Sequence, residues 1–175
     1  MYKASHIANY FLERGSEEQI EITPMKLIKL VYMAEGWALS LLDTDILESE
    51  EVQAWQHGPV IPSLYHEFKR FGSSGITEYA HEFEIDGTTG PFGLSMYTPK
   101  VKETDENLLK VLSLVWDSYK HRTGTALRNL THLPGTPWEQ VYDHQIRDQE
   151  IPKQLISSYY QEFIQNLLSK SKDPE

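Results

Sequence analysis

With 175 residues, 39% hydrophobic and 24% charged, the chain can form one domain with a buried core and is too short for two domains of ordinary size. Its net charge of −10 argues against direct contact with nucleic acid, and its lack of cysteine excludes disulfides and thiolate metal sites. Because the N-terminus lacks the apolar core of a secretory signal and no stretch reaches the ~20 apolar residues of a membrane span, we expect a cytoplasmic protein without membrane contacts.

The N-terminal part of the chain predicts two helices. Residues 4–14 carry apolar side chains at helical spacing, and Gly15 stands where a helix often ends. Thr23 and Pro24 form a start signal, because a Thr hydroxyl can accept a hydrogen bond from a free backbone amide and Pro loses none at the first helical position. The second helix runs to about Leu42, and its apolar residues cover more than one face, which places it at the centre of the core.

Basic residues form only short groupings along the chain. The densest are Lys26 with Lys29, Lys69 with Arg70, and Lys170 with Lys172. Each grouping has acidic neighbours and none extends into a basic stripe. We therefore interpret them as solvated helix faces rather than as contacts for nucleic acid.

A hook is expected after the second helix. Residues 43–56 mix apolar and acidic side chains without a helical period, which predicts a turn and one short strand. Gly58 and Pro59 then change the direction of the chain. A third helix is expected to open near Pro62 and to end at Gly72.

Residues 73–100 lose the helical period again. Apolar residues flank the turn-forming segment 86–90 on both sides, namely Phe83, Ile85, Leu94 and Met96. This pattern predicts a small hairpin. The alternative is a long surface excursion, and the sequence leaves the two open.

The C-terminal part predicts four further helices. Thr104 or Asp105 caps the first, in which apolar residues recur at helical spacing. Residues 126–133 and 137–142 form two short ones. The last starts near Pro152, and its repeated apolar pairs make a wide stripe that serves either as core or as interface.

These elements define the fold class as mainly α. We expect one compact helical domain over residues 1–175, with about six to seven helices and a short β hook or hairpin. The polar residues 169–175 are expected to form a flexible tail.

The sequence offers little support for catalysis. His66 and Glu67 resemble the start of a zinc-protease motif, but Arg70 stands where the second metal-binding His should be. The seven histidines lie without close pairs, whereas metal sites usually show two ligands at short spacing. We therefore expect no catalytic residue, no metal site and no cofactor.

Two clusters combine aromatic residues with turns, and they supply the candidate residues for partner binding. These are Glu51, Trp55, His57, Gly58, Pro59, His132 and Trp138. A rigid aromatic surface beside a fixed turn suits recognition of another protein. The alternative is structural: Trp55 fills the core, Gly58 and Pro59 only turn the chain, and His132 is a hydrogen-bonded turn residue.

Three segments carry a resemblance to a known family. Residues 23–37 resemble its second helix, residues 51–60 its acidic, Ala-Trp and Gly-Pro-Val stretch, and residues 130–132 with 137–138 its C-terminal signature. In this order they are similar to the SocA-like antitoxins, the Panacea domain, also described as phage-associated GepA-like proteins. The resemblance extends over about residues 4–168.

The resemblance implies a bacterial type II-like antitoxin that neutralises a cognate protein toxin by direct binding, either by occlusion or as an adaptor that delivers the toxin to a bacterial protease. From the net charge we expect a basic toxin and an acidic or aromatic contact surface. One alternative is a phage or mobile-element interaction module without an antitoxin role. Another is a metal-dependent hydrolase that uses Glu51, His57 or His132. A homodimer through the last helix is a further expectation.

Overall fold

The computed structural model describes residues 2–47, 50–85 and 93–170. The described residues form seven α-helices: α1 Ala4–Glu17, α2 Pro24–Leu42, α3 Pro62–Phe68, α4 Glu106–Tyr119, α5 Gly124–Thr131, α6 Pro137–Val141 and α7 Lys153–Lys170. They also form five short strands: β1 Gln53–Trp55, β2 Gly58–Val60, β3 Glu82–Ile85, β4 Leu94–Tyr97 and β5 Gln149–Glu150. The prediction of a mainly α fold with a β hook and hairpin is confirmed.

Helix α2 is the centre of the molecule, as its sequence predicts. The Thr23 hydroxyl accepts a hydrogen bond from the backbone amide of Lys26, and Pro24 opens the helix. Every residue from Lys26 to Ala38 is buried, because α1, α3, α4, α5 and α7 all pack against this helix. The helix ends at Leu42, and the next residue, Asp43, has a left-handed backbone conformation.

Two lysines of α2 contradict the interpretation of solvated helix faces. Lys26 is 5% exposed and Lys29 is 2% exposed. The Lys26 ammonium donates a hydrogen bond to the carbonyl oxygen of Lys120 at 2.6 Å, and the Lys29 ammonium donates one to the carbonyl oxygen of Pro59 at 2.8 Å. The long lysine stem lets a charge reach a backbone acceptor from inside the core. A helix with neighbours on every side leaves no solvated face for either residue.

The sequence predicted that the first helix ends at Gly15, and this prediction is wrong. Helix α1 continues to Glu17, and Gln19 adopts the left-handed conformation instead. Gly15 is buried, and a Cβ atom there would lie 2.7 Å from the Ile22 side chain and 2.9 Å from the Ile20 carbonyl oxygen. Its role is therefore close packing of the following segment against the helix.

Two small sheets interrupt the helices. Strand β1 pairs antiparallel with both β2 and β5, so residues 149–150 join the hook, a pairing that the sequence did not reveal. Strands β3 and β4 pair antiparallel, which confirms the hairpin, although its predicted turn at 86–90 lies outside the described residues. The hairpin keeps its apolar side chains exposed, and they are Phe83, Ile85, Leu94 and Met96.

The stripe of helix α7 divides along its length. Ile156, Tyr160 and Ile164 are buried, whereas Leu167 and Leu168 near the end are exposed. The helix extends to Lys170, beyond the predicted start of the polar tail. Within the described ranges, no helix is long and apolar enough to cross a membrane.

Candidate functional site

Gly58 lies at the centre of the candidate site. Gln56 and His57 form the turn between β1 and β2, and Gly58 follows with a φ of +100°. A Cβ atom at Gly58 would lie 2.8 Å from the Lys29 Nζ atom and 2.8 Å from the Thr131 Oγ1 atom. Both the backbone conformation and the close approach therefore require glycine.

Lys29 places a buried charge directly beneath this turn. Its hydrogen bond to the Pro59 carbonyl fixes the ammonium group against strand β2. Burial lowers the pKa of Lys29 to about 7, and the positive charge of Arg128 acts in the same direction. The side chain thus sits where its charged form is disfavoured by desolvation.

His132 approaches Gly58 from the end of helix α5. Its Nδ1 atom lies 2.7 Å from the carbonyl oxygen of Arg128, and since a carbonyl only accepts, this nitrogen carries a proton. The Nε2 atom is buried without a hydrogen bond to a described group. Burial lowers the pKa of His132. The backbone carbonyl groups of Arg128 and Gln56 act in the opposite direction, because they favour the protonated ring.

Two tryptophans connect the hook to the C-terminal segment. The Trp138 indole nitrogen donates a hydrogen bond to the Trp55 carbonyl oxygen at 2.8 Å, and its ring lies 3.8 Å from the His132 ring, measured between centroids. Trp138 is buried, whereas Trp55 is only half-buried. The Trp55 ring meets the edge of the Tyr65 ring at 4.9 Å, and Tyr65 is 38% exposed. These contacts hold an aromatic surface beside the β1–β2 turn.

A groove of about 410 Å³ opens beside this aromatic pair. It lies between the start of α2, the β1–β2 turn and helix α3. Its lining combines apolar and basic side chains: Pro24, Met25, Ile28, Lys29, Trp55, Gln56, His57, Val60, Tyr65, Lys69 and Gly72. We call it the Trp55 groove.

The candidate residues from the sequence separate into two groups. Gly58, Pro59 and Trp138 are buried and form the framework, with His132 half-buried behind them. Trp55 and the exposed His57 line the Trp55 groove, so the interaction interpretation stays a prediction for these two residues.

The acidic candidate Glu51 is exposed and is not among the groove-lining residues. Its neighbour Glu50 has the contacts instead, because its carboxylate accepts hydrogen bonds from the Ala4 backbone amide and the Ser63 hydroxyl. It thereby joins the N-terminal ends of α1 and α3. Nothing in the sequence distinguishes the two glutamates.

Sequence reasoning missed Lys29 and Tyr65 as members of the site. Lys29 was hidden because lysine normally marks a solvated face. The available signal was its position inside a helix that is apolar all round. Among the described residues, no group of three or more His, Asp or Glu side chains is placed to hold a metal ion. The arrangement can bind an apolar surface and offer positive charge beside it.

Comparison with known proteins gives two matches. The sequence model of the family described as "Antitoxin SocA-like, Panacea domain" matches residues 27–139, a range that includes Lys29, the β1–β2 turn and Trp138. The chain is 25% identical to Antitoxin SocA of Caulobacter vibrioides (strain NA1000 / CB15N) over 138 residues, which cover 79% of this chain and 69% of that relative. No solved structure gives a significant match.

Proposed function

The chain belongs to the SocA-like, Panacea-domain family of antitoxins, and we propose that it neutralises a cognate protein toxin by binding it directly through the Trp55 groove. The observation that supports this proposal is the partly exposed Trp55–Tyr65 pair beside the β1–β2 turn, where the Trp55 carbonyl accepts a hydrogen bond from the Trp138 indole. Rigid aromatic side chains provide contact area at low entropic cost and are enriched at the energetic centres of protein interfaces. The protein acts by binding and performs no catalysis.

Co-expression tests this function. The gene product encoded beside this chain is expected to arrest growth alone and to be neutralised when this chain is present. Trp55→Ala should lose neutralisation while its free energy of unfolding falls by only about 1–2 kcal/mol, because the side chain is half-buried. The matched control is Trp116→Ala, whose fully buried indole makes a loss of about 3–5 kcal/mol the expected result. Retained neutralisation by a folded Trp55→Ala variant would contradict this surface assignment.

Two modes of neutralisation follow from the family, occlusion and delivery to a protease in the cytoplasm. We propose occlusion as the minimum, because the groove needs no third protein. Repeating the rescue in strains that each lack one ATP-dependent protease separates the modes, since only delivery fails there.

The predicted homodimer through α7 is checked by light scattering of Leu167→Glu, a change to an exposed side chain.

A further inference from the structure

The Trp55 groove has a local charge opposite to that of the whole chain. Acidic residues outnumber basic ones 26 to 16. Nevertheless, the described residues that line the groove include no Asp or Glu, while Lys29, Lys69 and His57 all lie there. Arg128 and His132 lie behind Lys29, and both interact electrostatically with it. The groove is therefore a basic surface patch on a protein whose net charge is negative.

Lys29 has unused bonding capacity at this place. An ammonium group offers three donors, and within the described part of the chain Lys29 makes a single hydrogen bond, to the Pro59 carbonyl. No carboxylate in that part of the chain lies within ion-pair distance of Lys29 or of Arg128. The Nε atom of Arg128 is buried without a partner there. Buried charges are normally paired, so this cluster lacks its counter-charge.

We propose that the missing counter-charge is a carboxylate of the protein partner, inserted into the Trp55 groove with an apolar residue beside it. The carboxylate faces Lys29, and the apolar neighbour packs on the Trp55 and Tyr65 rings. This inference rests on the proposed function and names the chemistry of its contact. The carboxylate is supplied either by an Asp or Glu side chain or by a C-terminus.

The geometry favours an anion over an apolar group alone. Lys29 is 2% exposed, so water screens its charge poorly and an approaching carboxylate is attracted strongly. The groove lining also includes aromatic and apolar side chains, which suit the flanking residue.

Defined peptides test the chemistry without the toxin. We would titrate ¹⁵N-labelled protein with N-acetyl-Leu-Glu-amide, with N-acetyl-Leu-Leu bearing a free C-terminus, with the neutral N-acetyl-Leu-Gln-amide, and with inorganic phosphate. At least one carboxylate peptide should shift the Trp55 indole and Gly58 amide signals at a tenfold lower concentration than the neutral peptide does. The two carboxylate peptides distinguish the side-chain source from the C-terminal source. Equal shifts by the neutral peptide, or equal shifts by phosphate, would overturn the proposal.

Variants assign the effect to Lys29. Lys29→Met and Lys29→Gln should each abolish the preference for carboxylate, and the second keeps an amide donor near Pro59. Lys69→Met, at an exposed lining position, should reduce the preference less than threefold. If a folded Lys29 variant keeps the preference, the inference fails.

The rescue assay separates this inference from the proposed function. Toxin neutralisation that survives in Lys29→Met refutes the carboxylate contact and leaves the antitoxin role intact. Failure of the unmodified chain to rescue refutes the antitoxin role, while the peptide titration still decides whether the groove selects a carboxylate.

Discussion

Helix α2 buries three charged residues, Lys26, Lys29 and Glu35, and the surroundings of the last two differ. One Glu35 oxygen accepts a hydrogen bond from the Ile46 amide at 3.0 Å, and the other lies 4.0 Å from the Lys153 ammonium. Lys153 also pairs with Asp45, so the chain itself supplies a cation beside Glu35, which the two carboxylates share. Among the residues that the structure describes, Lys29 has one carbonyl acceptor and two basic neighbours, Arg128 and His132.

This difference distinguishes a buried charge that connects elements of the fold from a buried charge that does not. Each buried charge costs stability through desolvation. The cluster at Glu35 connects α2, the hook and α7, which gives that charge a structural role. Lys29 contributes no comparable connection between charged groups. Four predictions test this contrast and the packing around Lys29.

The largest effect is expected from Lys29→Met. Because burial lowers the pKa of Lys29 from 10.5 to about 7, the unfolded chain binds more protons than the folded chain between these pH values. The free energy of unfolding should therefore rise as the pH increases from 7 toward 10.5. Removing the charge should stabilise the protein by about 3–4 kcal/mol at pH 7. This net value already subtracts the contribution of the lost hydrogen bond to the Pro59 carbonyl. Urea denaturation at pH 7 and pH 10 checks both. A destabilised variant at pH 7 would contradict the assigned burial cost.

Gly58→Ala should destabilise the protein by about 2–3 kcal/mol, because the left-handed backbone and the contacts with Lys29 and Thr131 both oppose a Cβ atom. Gly135→Ala is the matched control. Gly135 also has a positive φ, but nothing lies within 4 Å of an added Cβ, so only the backbone cost of about 1 kcal/mol remains. Thermal unfolding of both variants measures the difference. Equal losses would show that the close approach under the turn contributes nothing.

A smaller effect is expected from Glu35→Gln. Burial raises the pKa of Glu35 from 4.5 to about 7, so the folded chain binds more protons between these values and stability falls as the pH rises through them. The neutral amide should stabilise the protein by about 1–2 kcal/mol at pH 8, reduced by the unfavourable approach of an amide donor to Lys153, and should change little at pH 4.5.

The contrast then predicts different functional results. Glu35→Gln should keep toxin neutralisation, whereas Lys29→Met should lose it despite its greater stability. The measurement is growth rescue at equal expression of the two variants. Loss of rescue in both variants would show that Lys29 and Glu35 do not differ in their importance for function.

Several elements were predictable because their determinants are local. Thr23 with Pro24 starts α2, and the Asp105 side chain caps α4 by accepting a hydrogen bond from the Leu108 amide. Helix α5 shows the limit of such signals. The sequence predicted this helix from residue 126, yet it begins at Gly124, and the Thr123 hydroxyl caps it.

The family and the main candidate segments were also recognisable from short motifs. The Gly58 turn and Trp138 lie far apart in sequence, and the sequence indicated each as a cluster of aromatic and turn residues. It gave no indication that the Trp138 indole would bind the Trp55 carbonyl. It also gave no reason to pair residues 149–150 with strand β1.

The sequence by itself determined the starts of α2 and α4, the central position of α2 and the family, since these depend on capping residues, periodicity and short motifs. Only the tertiary structure decided that Lys29 is buried without a counter-charge among the described residues, that Glu50 rather than Glu51 joins two helix ends, and that Gly15 packs instead of capping. The physical reason is that burial and charge pairing are set by neighbours from distant parts of the chain, which local sequence patterns do not specify.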